Sequence, residues 1–314
     1  MRDITFYDLN FNRLYILPQS SGDRGYISAY AEKEFNGVGS LEIDFVDDEL
    51  FKLVKSKDYR DNLMIEWNGF WGIMCAFQYK DGKIKLTGES LNGLLKRVVV
   101  TSTGTQSGTV KSLAWNAVNY VDWLTCNWTE DFTKTVSYTT DALTSADKYL
   151  SAVLALDNAG YEVKADIVNK QFVFNLLKSN ESDLLLSTNN LNAYDFSETY
   201  INRNVANGGY YQKEVDGEKK WYYITLDESL IGVFKKDVVL NSKTEWEARQ
   251  ELKAMVAESE TELKTRGLTF GIDYNLGDVV RVQNNDTAVK KRITSVIMSQ
   301  ENGYIENPIF SEVE

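Results

Sequence analysis

Residues 63–87, LMIEWNGFWGIMCAFQYKDGKIKLT, are the stretch that decides the fold. They contain three runs rich in β-branched and aromatic residues, and the dipeptides Asn68-Gly69 and Asp81-Gly82 separate these runs. Both dipeptides are typical of the tight turns that join antiparallel strands. We therefore predict a three-stranded antiparallel meander, with strands over 63–67, 70–79 and 83–87.

Alternation along the middle strand of this meander places five side chains on one face: Trp71, Ile73, Cys75, Phe77 and Tyr79. Two interpretations fit this face. The rings could form a platform on which a sugar stacks, or they could fill the core of a β-barrel, where aromatic side chains bury a large apolar area. The pattern favours the core, and Cys75, which lies in an apolar run, is predicted to be buried.

The remainder of residues 1–100 also reads as strands, and the segment 40–46 alternates cleanly between apolar and polar residues. Asp47 or Asp48 is predicted to cap a short helix through Val54. Ser90 is predicted to cap a brief helix through Arg97. We therefore expect residues 1–100 to form a first barrel-like β domain.

Residues 101–185 have a different pattern, and we predict a small α+β domain inserted after the first β domain. The polar stretch 101–109 has the composition of a loop or linker. Two helices and then two strands are predicted after it, and Gly160 is expected at the C′ position of the second helix. These four elements span 110–123, 146–159, 161–165 and 171–177.

Residues 186–314 return to a strand pattern, and we predict a second barrel-like β domain that includes one long helix. Thr244 and Glu247 form the Thr-x-x-Glu capping box at which this helix begins, and Gly267 ends it. The helix is therefore predicted over 244–266. The whole chain is accordingly assigned to the α+β class, with a large excess of β-structure.

The C-terminal region also repeats the order of elements found in the opening stretch. Three strand runs are again separated by turn residues, and Ile293 and Gly303 follow Ile73 and Gly82 at nearly the same offset. Duplication of one meander and chance recurrence of hairpins are equally consistent with this pattern.

Composition excludes several classes of function. The chain has 314 residues, 34 Lys and Arg, 46 Asp and Glu, a formal net charge of −12 and no histidine. An acidic chain is a poor candidate for nucleic-acid binding, which depends on neutralising phosphates. Without histidine, no Ser-His-Asp or Cys-His catalytic pair and no imidazole zinc site can be built. The two cysteines, Cys75 and Cys126, cannot supply a four-thiolate site, and we predict both to be free thiols.

Two acidic segments are candidates for chemistry. Asp44, Asp47, Asp48 and Glu49 could supply the carboxylate pair of a glycosidase, but such a cluster is more typical of a helix N-terminus. Asp286 lies in a segment that slightly resembles a calcium loop; because the regular spacing and the closing Glu are missing, we predict a turn. No residue is therefore assigned as catalytic, cofactor-binding or metal-binding, no cofactor is expected, and the chain is not predicted to be an enzyme.

The sequence has no candidate membrane segment or signal peptide. The first ten residues lack the apolar core of a signal peptide, and no stretch approaches roughly 18 consecutive apolar residues. We therefore expect a soluble protein that is made in the cytoplasm.

Three segments together resemble one family of proteins. They are the run from Gly25 through residue 43, the run 71–97 with its DGKIKLTGESLNGLLKR, and DYNLGDVV of residues 273–280 with Arg292-Ile293-Thr294. These segments resemble the tail hub proteins of tailed bacteriophages and related phage-tail-like particles. Such proteins are also called baseplate hub proteins, or form the N-terminal part of tail-associated lysins. The resemblance covers nearly the whole chain.

The resemblance implies a homotrimer. In such hubs each subunit carries two barrel-like domains, so three subunits form a ring with pseudo-sixfold symmetry that joins the tail tube to the tail tip. It further implies partners among the distal tail or tube proteins and the tip or spike proteins. The expected location is the virion, assembled in the cytoplasm of the bacterial host. The resemblance supplies no catalytic residue.

Two other functions stay open. A carbohydrate- or receptor-binding module of the tail tip would use exposed Trp and Tyr side chains, and it predicts measurable sugar affinity. A glycosidase that works with carboxylates alone predicts cell-wall cleavage that one Asp or Glu substitution abolishes, although no spacing in the sequence selects a pair. The structural hub is the favoured interpretation.

Overall fold

The computed structural model describes residues 3–313, apart from 20–24, 60–61, 127, 129–130, 141, 202–205, 216–217, 227, 230–231, 233–234, 256–257, 285–286 and 302. Strands predominate over helices along this part of the chain, which confirms the predicted β-rich α+β class. The chain forms two compact units: Met1–Phe196 with Glu262–Glu314 make the larger, and Ser197–Thr261 the smaller. The finer division into domains 1–100, 101–185 and 186–314 stays a prediction.

The N-terminal part of the larger unit contains one α-helix between two groups of strands. Helix α1 (Asp48–Lys55) begins as predicted, because the Asp47 carboxylate accepts hydrogen bonds from the backbone N–H groups of Glu49 and Leu50 at 3.0 and 2.8 Å. The strands are β1 (Ile4–Tyr7), β2 (Arg13–Leu17), β3 (Gly25–Glu34), β4 (Ser40–Val46), β5 (Met64–Trp67), β6 (Phe70–Lys80) and β7 (Lys83–Ser90).

The predicted meander is confirmed, since β5, β6 and β7 pair antiparallel in that order. Both turns have positive φ at their two central residues: 50° and 76° at Asn68 and Gly69, and 51° and 78° at Asp81 and Gly82. Positive φ at both positions is the type I′ geometry, whose twist matches that of the strands it joins. The two dipeptides therefore fix the register of the residues next to each turn.

A β-bulge at Cys75 interrupts the alternation of β6. The register with β7 shifts between Met74 and Ala76, so the side chains beyond the bulge change faces. The larger unit has two hydrophobic cores, one enclosed by the large sheet and one by the α+β segment. Ile73 packs in the core of the α+β segment, whereas Phe77 packs against the core of the large sheet. Cys75 is exposed, and its predicted burial was wrong because the bulge turns it out of the sheet. The prediction that both cysteines are free thiols is confirmed.

The segment after β7 begins with a 3-10 helix, Leu91–Arg97, where the sequence predicted a brief helix. Ser90 does not cap this helix through its side chain; its hydroxyl instead accepts a hydrogen bond from the backbone N–H of Gly39 at 3.0 Å. The next elements are β8 (Val99–Val100), β9 (Gly104–Thr109), α2 (Val110–Val118), β10 (Leu124–Cys126), β11 (Thr135–Thr140), β12 (Thr144–Ser145), α3 (Ala146–Ala155), β13 (Ala159–Asp166) and β14 (Gln171–Lys178).

Both helices of this α+β segment are shorter than predicted. Helix α2 ends at Val118 rather than at residue 123, and α3 ends at Ala155 rather than at 159. Gly160 is not the C′ residue of α3, since it lies within β13. A positive φ of 50° occurs instead at Asn158, a residue type that tolerates the left-handed conformation.

The chain then passes through β15 (Glu181–Ser187) and β16 (Ala193–Ile201) into the smaller unit. That unit contains a three-stranded sheet in the order β18-β17-β19 and one helix. Apolar side chains of the sheet, the helix and the segments next to them share one core: Ala206, Tyr211, Ile224, Leu240, Ala248 and Leu252. The elements are β17 (Gly208–Val215), β18 (Glu218–Thr225), β19 (Asp237–Val239) and α4 (Glu245–Ala254).

The long helix predicted over 244–266 was wrong in its second half. Its start is correct, because Thr244 and Glu247 make the reciprocal capping box. The helix ends at Ala254, and residues 258–265 form strand β20 (Glu258–Thr265). Thr261 and Leu263 are buried, which is the period-two pattern of a strand. Pairing within the large sheet therefore overrides the helical pattern of the apolar residues.

The final strands complete one 13-stranded sheet. They are β21 (Val279–Asn284), β22 (Thr287–Gln300) and β23 (Tyr304–Glu312), which form a second antiparallel meander. Strand β22 also pairs with β3, so the N-terminal and C-terminal strands belong to the same sheet. The sheet runs β16-β20-β23-β22-β3-β4-β7-β6-β5-β1-β2, with β21 also beside β22 and β15 beside β21.

The larger unit has two hydrophobic cores. The large sheet encloses the first, which includes Phe6, Ile43, Leu86, Val296 and Phe310. The α+β segment encloses the second, which includes Leu113, Ala117, Tyr149, Leu150 and Phe174. A set of close backbone contacts joins the two, and among them the N–H of Tyr161 donates to the carbonyl of Phe35 at 3.0 Å.

Candidate functional site

The acidic cluster has structural roles. Asp47 caps α1 and also accepts a hydrogen bond from the Tyr15 hydroxyl at 2.9 Å, while Asp44 accepts one from the Ser28 hydroxyl at 3.1 Å. The prediction of a helix N-terminus is therefore confirmed for Asp47. Asp286 lies outside the described residues. Within the described ranges, no group of three or more Cys, Asp or Glu side chains is arranged to hold a metal ion.

The aromatic side chains of β6 do not form a platform. Trp71 packs against the α+β core and Phe77 against the sheet core, because the Cys75 bulge separates them. Tyr79 is exposed, but its ring stacks on Phe51 with centroids 4.9 Å apart. The preference for packing over a sugar platform therefore holds for Trp71 and Phe77.

Exposed aromatic side chains instead cluster on the three-stranded sheet of the smaller unit. Tyr210 lies opposite Tyr223, Trp221 is two residues from Tyr223 on β18, and Val239 lies beside Tyr210 on β19. These four side chains share the face of the sheet opposite the buried Tyr211 and Ile224. Their exposed fractions are 43% for Tyr210, 37% for Tyr223, 56% for Trp221 and 69% for Val239. We call these four side chains the aromatic face.

Polar contacts hold the aromatic face in place. The Tyr223 hydroxyl donates to Asp237 at 3.0 Å, and the Lys235 ammonium lies 4.3 Å from the centre of the Tyr223 ring. Tyr210 and Tyr223 are themselves in contact, with centroids 4.9 Å apart. The hydrogen bond with Tyr223 raises the pKa of Lys235, so the ammonium stays charged beside the ring. A rigid face of exposed rings with a charged rim is typical of a protein contact surface.

A concave site of about 610 Å³ lies in the larger unit, between the Asn68-Gly69 turn and the last strands of the large sheet. Its walls carry aromatic side chains together with amide, hydroxyl and carboxylate groups. We call it the Glu306 cleft. The lining side chains used below are Trp67, Asn68, Tyr194, Thr265, Phe270, Gln300, Tyr304 and Glu306.

Hydrogen bonds within the protein fix the centre of the Glu306 cleft. The Tyr304 hydroxyl donates to one carboxylate oxygen of Glu306 at 2.6 Å, and the backbone N–H of Phe270 donates to the other at 2.9 Å. The Asn68 side-chain amide donates to the Tyr304 hydroxyl. Trp67 is buried, and its ring contacts the Tyr304 ring edge to face, with centroids 6.0 Å apart. The polar groups are therefore held in place before any ligand arrives.

Two cations lie beside aromatic rings of the cleft. The Arg266 guanidinium is 5.1 Å from the centre of the Tyr194 ring, and the Lys33 ammonium is 5.3 Å from that of Phe270. Lys33 is largely buried, and its ammonium donates to the carbonyl of Gly69 at 2.8 Å. Burial lowers the pKa of Lys33, and the nearby Glu162 carboxylate opposes that shift.

Neither surface follows from local sequence patterns. The Glu306 cleft brings together residues near positions 67, 194, 270 and 304, which are far apart in the chain. The sheet order β16-β20-β23 brings the strands near positions 194 and 304 close together, and the contact between Trp67 and Tyr304 adds the turn after β5. Asn68 was singled out as a turn residue, and this turn does form one wall. One local pattern, the run Trp221-Tyr222-Tyr223, indicates aromatic side chains at the aromatic face. Alternation alone does not show which face of this strand α4 covers.

In the described part of the chain, no helix is long and apolar enough to cross a membrane. No family model matches the sequence. No curated protein matches it either.

Solved structures do match, over the entire chain. The tail protein from Neisseria meningitidis MC58 has a TM-score of 0.60 at 11% identity, over 99% of this chain and 96% of that one. The 43 kDa tail protein of prophage MuSo2 from Shewanella oneidensis has a TM-score of 0.58 at 11% identity, over 100% and 98%. The prophage tail protein gp18 from Listeria monocytogenes EGD-e has a TM-score of 0.56 at 11% identity, over 99% and 95%. The resemblance to phage tail proteins is thus confirmed at the level of the fold.

Proposed function

We propose that this chain is a structural protein of a phage tail: the hub, a trimeric ring with pseudo-sixfold symmetry that connects the tail tube to the tail tip. The observation that carries the proposal is the fold shared from end to end with three tail proteins, two of them from prophages. The protein acts in the virion, contacts other tail proteins and catalyses no reaction.

The two meanders support the symmetry in this proposal. Strands β5–β7 and β21–β23 each form an antiparallel meander with a bulged register between the second and third strands. Three copies of the chain would therefore present six similar meanders around a threefold axis. Such an arrangement matches a sixfold tube on one side and a threefold tip on the other.

Within this proposal, we assign the aromatic face to contact between copies of the chain. A closed ring built from head-to-tail contacts needs two different surfaces on every subunit. Aromatic side chains are enriched in protein interfaces, because they bury a large area with few rotatable bonds. Trp221, the most exposed of the three rings, is the expected centre of the contact.

The proposal is tested by measuring the native mass with light scattering after gel filtration, over a range of concentrations. We expect a species of three chains, each of 35.8 kDa. Negative-stain images of that species should show a ring with six similar lobes. A chain that stays monomeric at every concentration, and also with a tail-tube protein present, would contradict the hub.

Two variants test the assigned contact separately. Trp221→Ser should lower the trimer fraction at a fixed concentration, by about tenfold in the association constant for the loss of one interfacial tryptophan. Tyr79→Ser is the matched control, because Tyr79 is exposed to the same degree, 57%, but lies in the larger unit. An unchanged trimer in Trp221→Ser would move the contact to another surface and leave the hub proposal in place.

A further inference from the structure

We propose that the Glu306 cleft binds a neutral saccharide. This inference goes beyond the proposed structural role and does not rest on it, since the cleft lies entirely within one compact unit of a single chain. Its volume of about 610 Å³ falls within the range of natural small-ligand sites, which is roughly 300–1,000 Å³. The shape and the chemistry of the lining together indicate the ligand class.

The apolar part of the lining suits the flat face of a sugar ring. Tyr194 and Tyr304 are 38% and 43% exposed, so each offers part of a ring to the cleft. Neither ring is loosely held: Arg266 lies over Tyr194, and the buried Trp67 supports Tyr304. Rigid, half-exposed rings supply a large contact area at a small loss of conformational entropy.

The polar part of the lining suits a ligand with several hydroxyl groups. The Glu306 carboxylate accepts two hydrogen bonds within the protein, and a carboxylate has about four acceptor positions. The Asn68 and Gln300 amides and the Thr265 hydroxyl also line the cleft. Amides and hydroxyls both donate and accept, as sugar hydroxyls do.

The charges of the cleft argue for a ligand without charge. Glu306 is the carboxylate at its centre, while Arg266 and Lys33 lie beside two of the surrounding rings. Glu306 is the one charged side chain among the described residues that line the cleft, so an anionic ligand would be repelled by it. A neutral ligand brings no charge that must be desolvated.

The test uses the full-length chain and saturation-transfer NMR with four probes. Three are neutral tetrasaccharides, namely chitotetraose, cellotetraose and maltotetraose, and the fourth is the anionic tetragalacturonate. At least one neutral probe should receive saturation from the protein, with a dissociation constant of about 10 mM or below, as expected for weak binding. Equal or stronger transfer to the anionic probe would overturn the neutral assignment, and no transfer to any probe would overturn the saccharide site.

Three variants locate the binding. Tyr194→Ala and Glu306→Gln should each weaken it by about tenfold or more. Tyr304→Phe keeps the ring and removes only the hydroxyl, so we expect a smaller loss of affinity. This variant still tests the site if larger truncations disturb folding. Tyr79→Ala, an exposed tyrosine outside the cleft, should leave the dissociation constant unchanged. Equal affinity in folded Tyr194→Ala and the parent chain would overturn the proposal.

A protein segment is the competing occupant of the cleft. If a second copy of the chain covered it, hydrogen exchange of residues 265–272 would slow on trimer formation, and saccharide binding would disappear in the trimer. That result would replace the saccharide by a protein contact. Binding of equal strength in monomer and trimer supports the proposal. If no trimer forms, the NMR titration of the chain and its variants still decides whether the cleft binds a saccharide.

Discussion

At the scale of single residues, Lys33 has an unusual environment for a lysine. Its side chain is 14% exposed, its ammonium lies 3.6 Å from the Glu162 carboxylate, and it donates a hydrogen bond to Gly69. It therefore joins β3 to the α+β segment and to the Asn68-Gly69 turn. Partial desolvation of an ammonium is unfavourable, which is why its pKa lies below the ordinary value of 10.5.

This lowered pKa predicts a dependence of stability on pH. Between the lowered value and 10.5, the unfolded chain binds more protons at Lys33 than the folded chain does. The contribution of Lys33 to the free energy of unfolding therefore rises with pH across that interval, by at most about 1.4 kcal/mol per pH unit. Below the interval Lys33 is charged in both states, and its full desolvation penalty is present.

The measurement is urea unfolding of the parent chain and of Lys33→Met at several pH values from about 8 to 10.5. Subtracting the two series removes the titration of the tyrosines, so the difference should rise in favour of the parent chain as pH increases. Lys164→Met is the control, because Lys164 also pairs with Glu162, at 2.8 Å, but is half exposed. A difference that stays flat with pH would show that Lys33 keeps its ordinary pKa.

At the scale of elements, the sequence is informative where a local hydrogen bond or φ angle decides the outcome. The Asn-Gly and Asp-Gly turns, the Asp47 cap and the start of α4 all depend on residues within four positions of each other. The bulge at Cys75 and the end of α4 depend on strands that pair from elsewhere in the chain. No local pattern specifies them, and the predictions there were wrong.

Helix α4 gives a prediction at this scale. Its ten residues include a capping box, in which the Thr244 hydroxyl accepts from the backbone N–H of Glu247 at 3.2 Å. Thr244→Ala should destabilise the smaller unit by about 1 kcal/mol, because one helix N–H loses its acceptor. Hydrogen exchange of the α4 amides would measure the change.

The control for this prediction is Thr244→Ser, which keeps the hydroxyl. Its exchange rates should stay close to those of the parent chain. Equal protection of α4 in Thr244→Ala and Thr244→Ser would mean that packing of Ala248 and Leu252, rather than the cap, determines its stability.

At the scale of the whole molecule, the larger unit depends on contacts between its two cores. The loop after β3 is central: the Asn36 amide donates to the carbonyl of Ser151 at 2.8 Å, and the Asn92 amide donates to that of Gly37 at 2.7 Å. The sequence predicted an α+β segment here but not its attachment. The candidate cleft was missed for the same reason, since its walls come from strands far apart in the chain.

Gly160 tests this attachment. A Cβ atom at this position would lie 1.9 Å from the carbonyl oxygen of Phe35, so Gly160→Ala must push the two backbones apart. We expect a loss of about 3 kcal/mol or more in the free energy of unfolding, measured in urea. Gly82→Ala is the control: it has open space and only the strain of a positive φ, about 1–2 kcal/mol. Equal losses in the two variants would contradict a close contact at Gly160.

The pairing of β3 with β22 also sets the order in which the chain can fold during synthesis. Strand β3 ends at Glu34, and its partner spans Thr287–Gln300. At about 5–20 residues per second, the ribosome needs roughly 10–50 s between the two. Throughout that time the nascent chain carries a ten-residue strand with one open edge, the feature through which strands of different chains aggregate. A chain stalled before residue 287 lacks the partner strand and keeps that edge open.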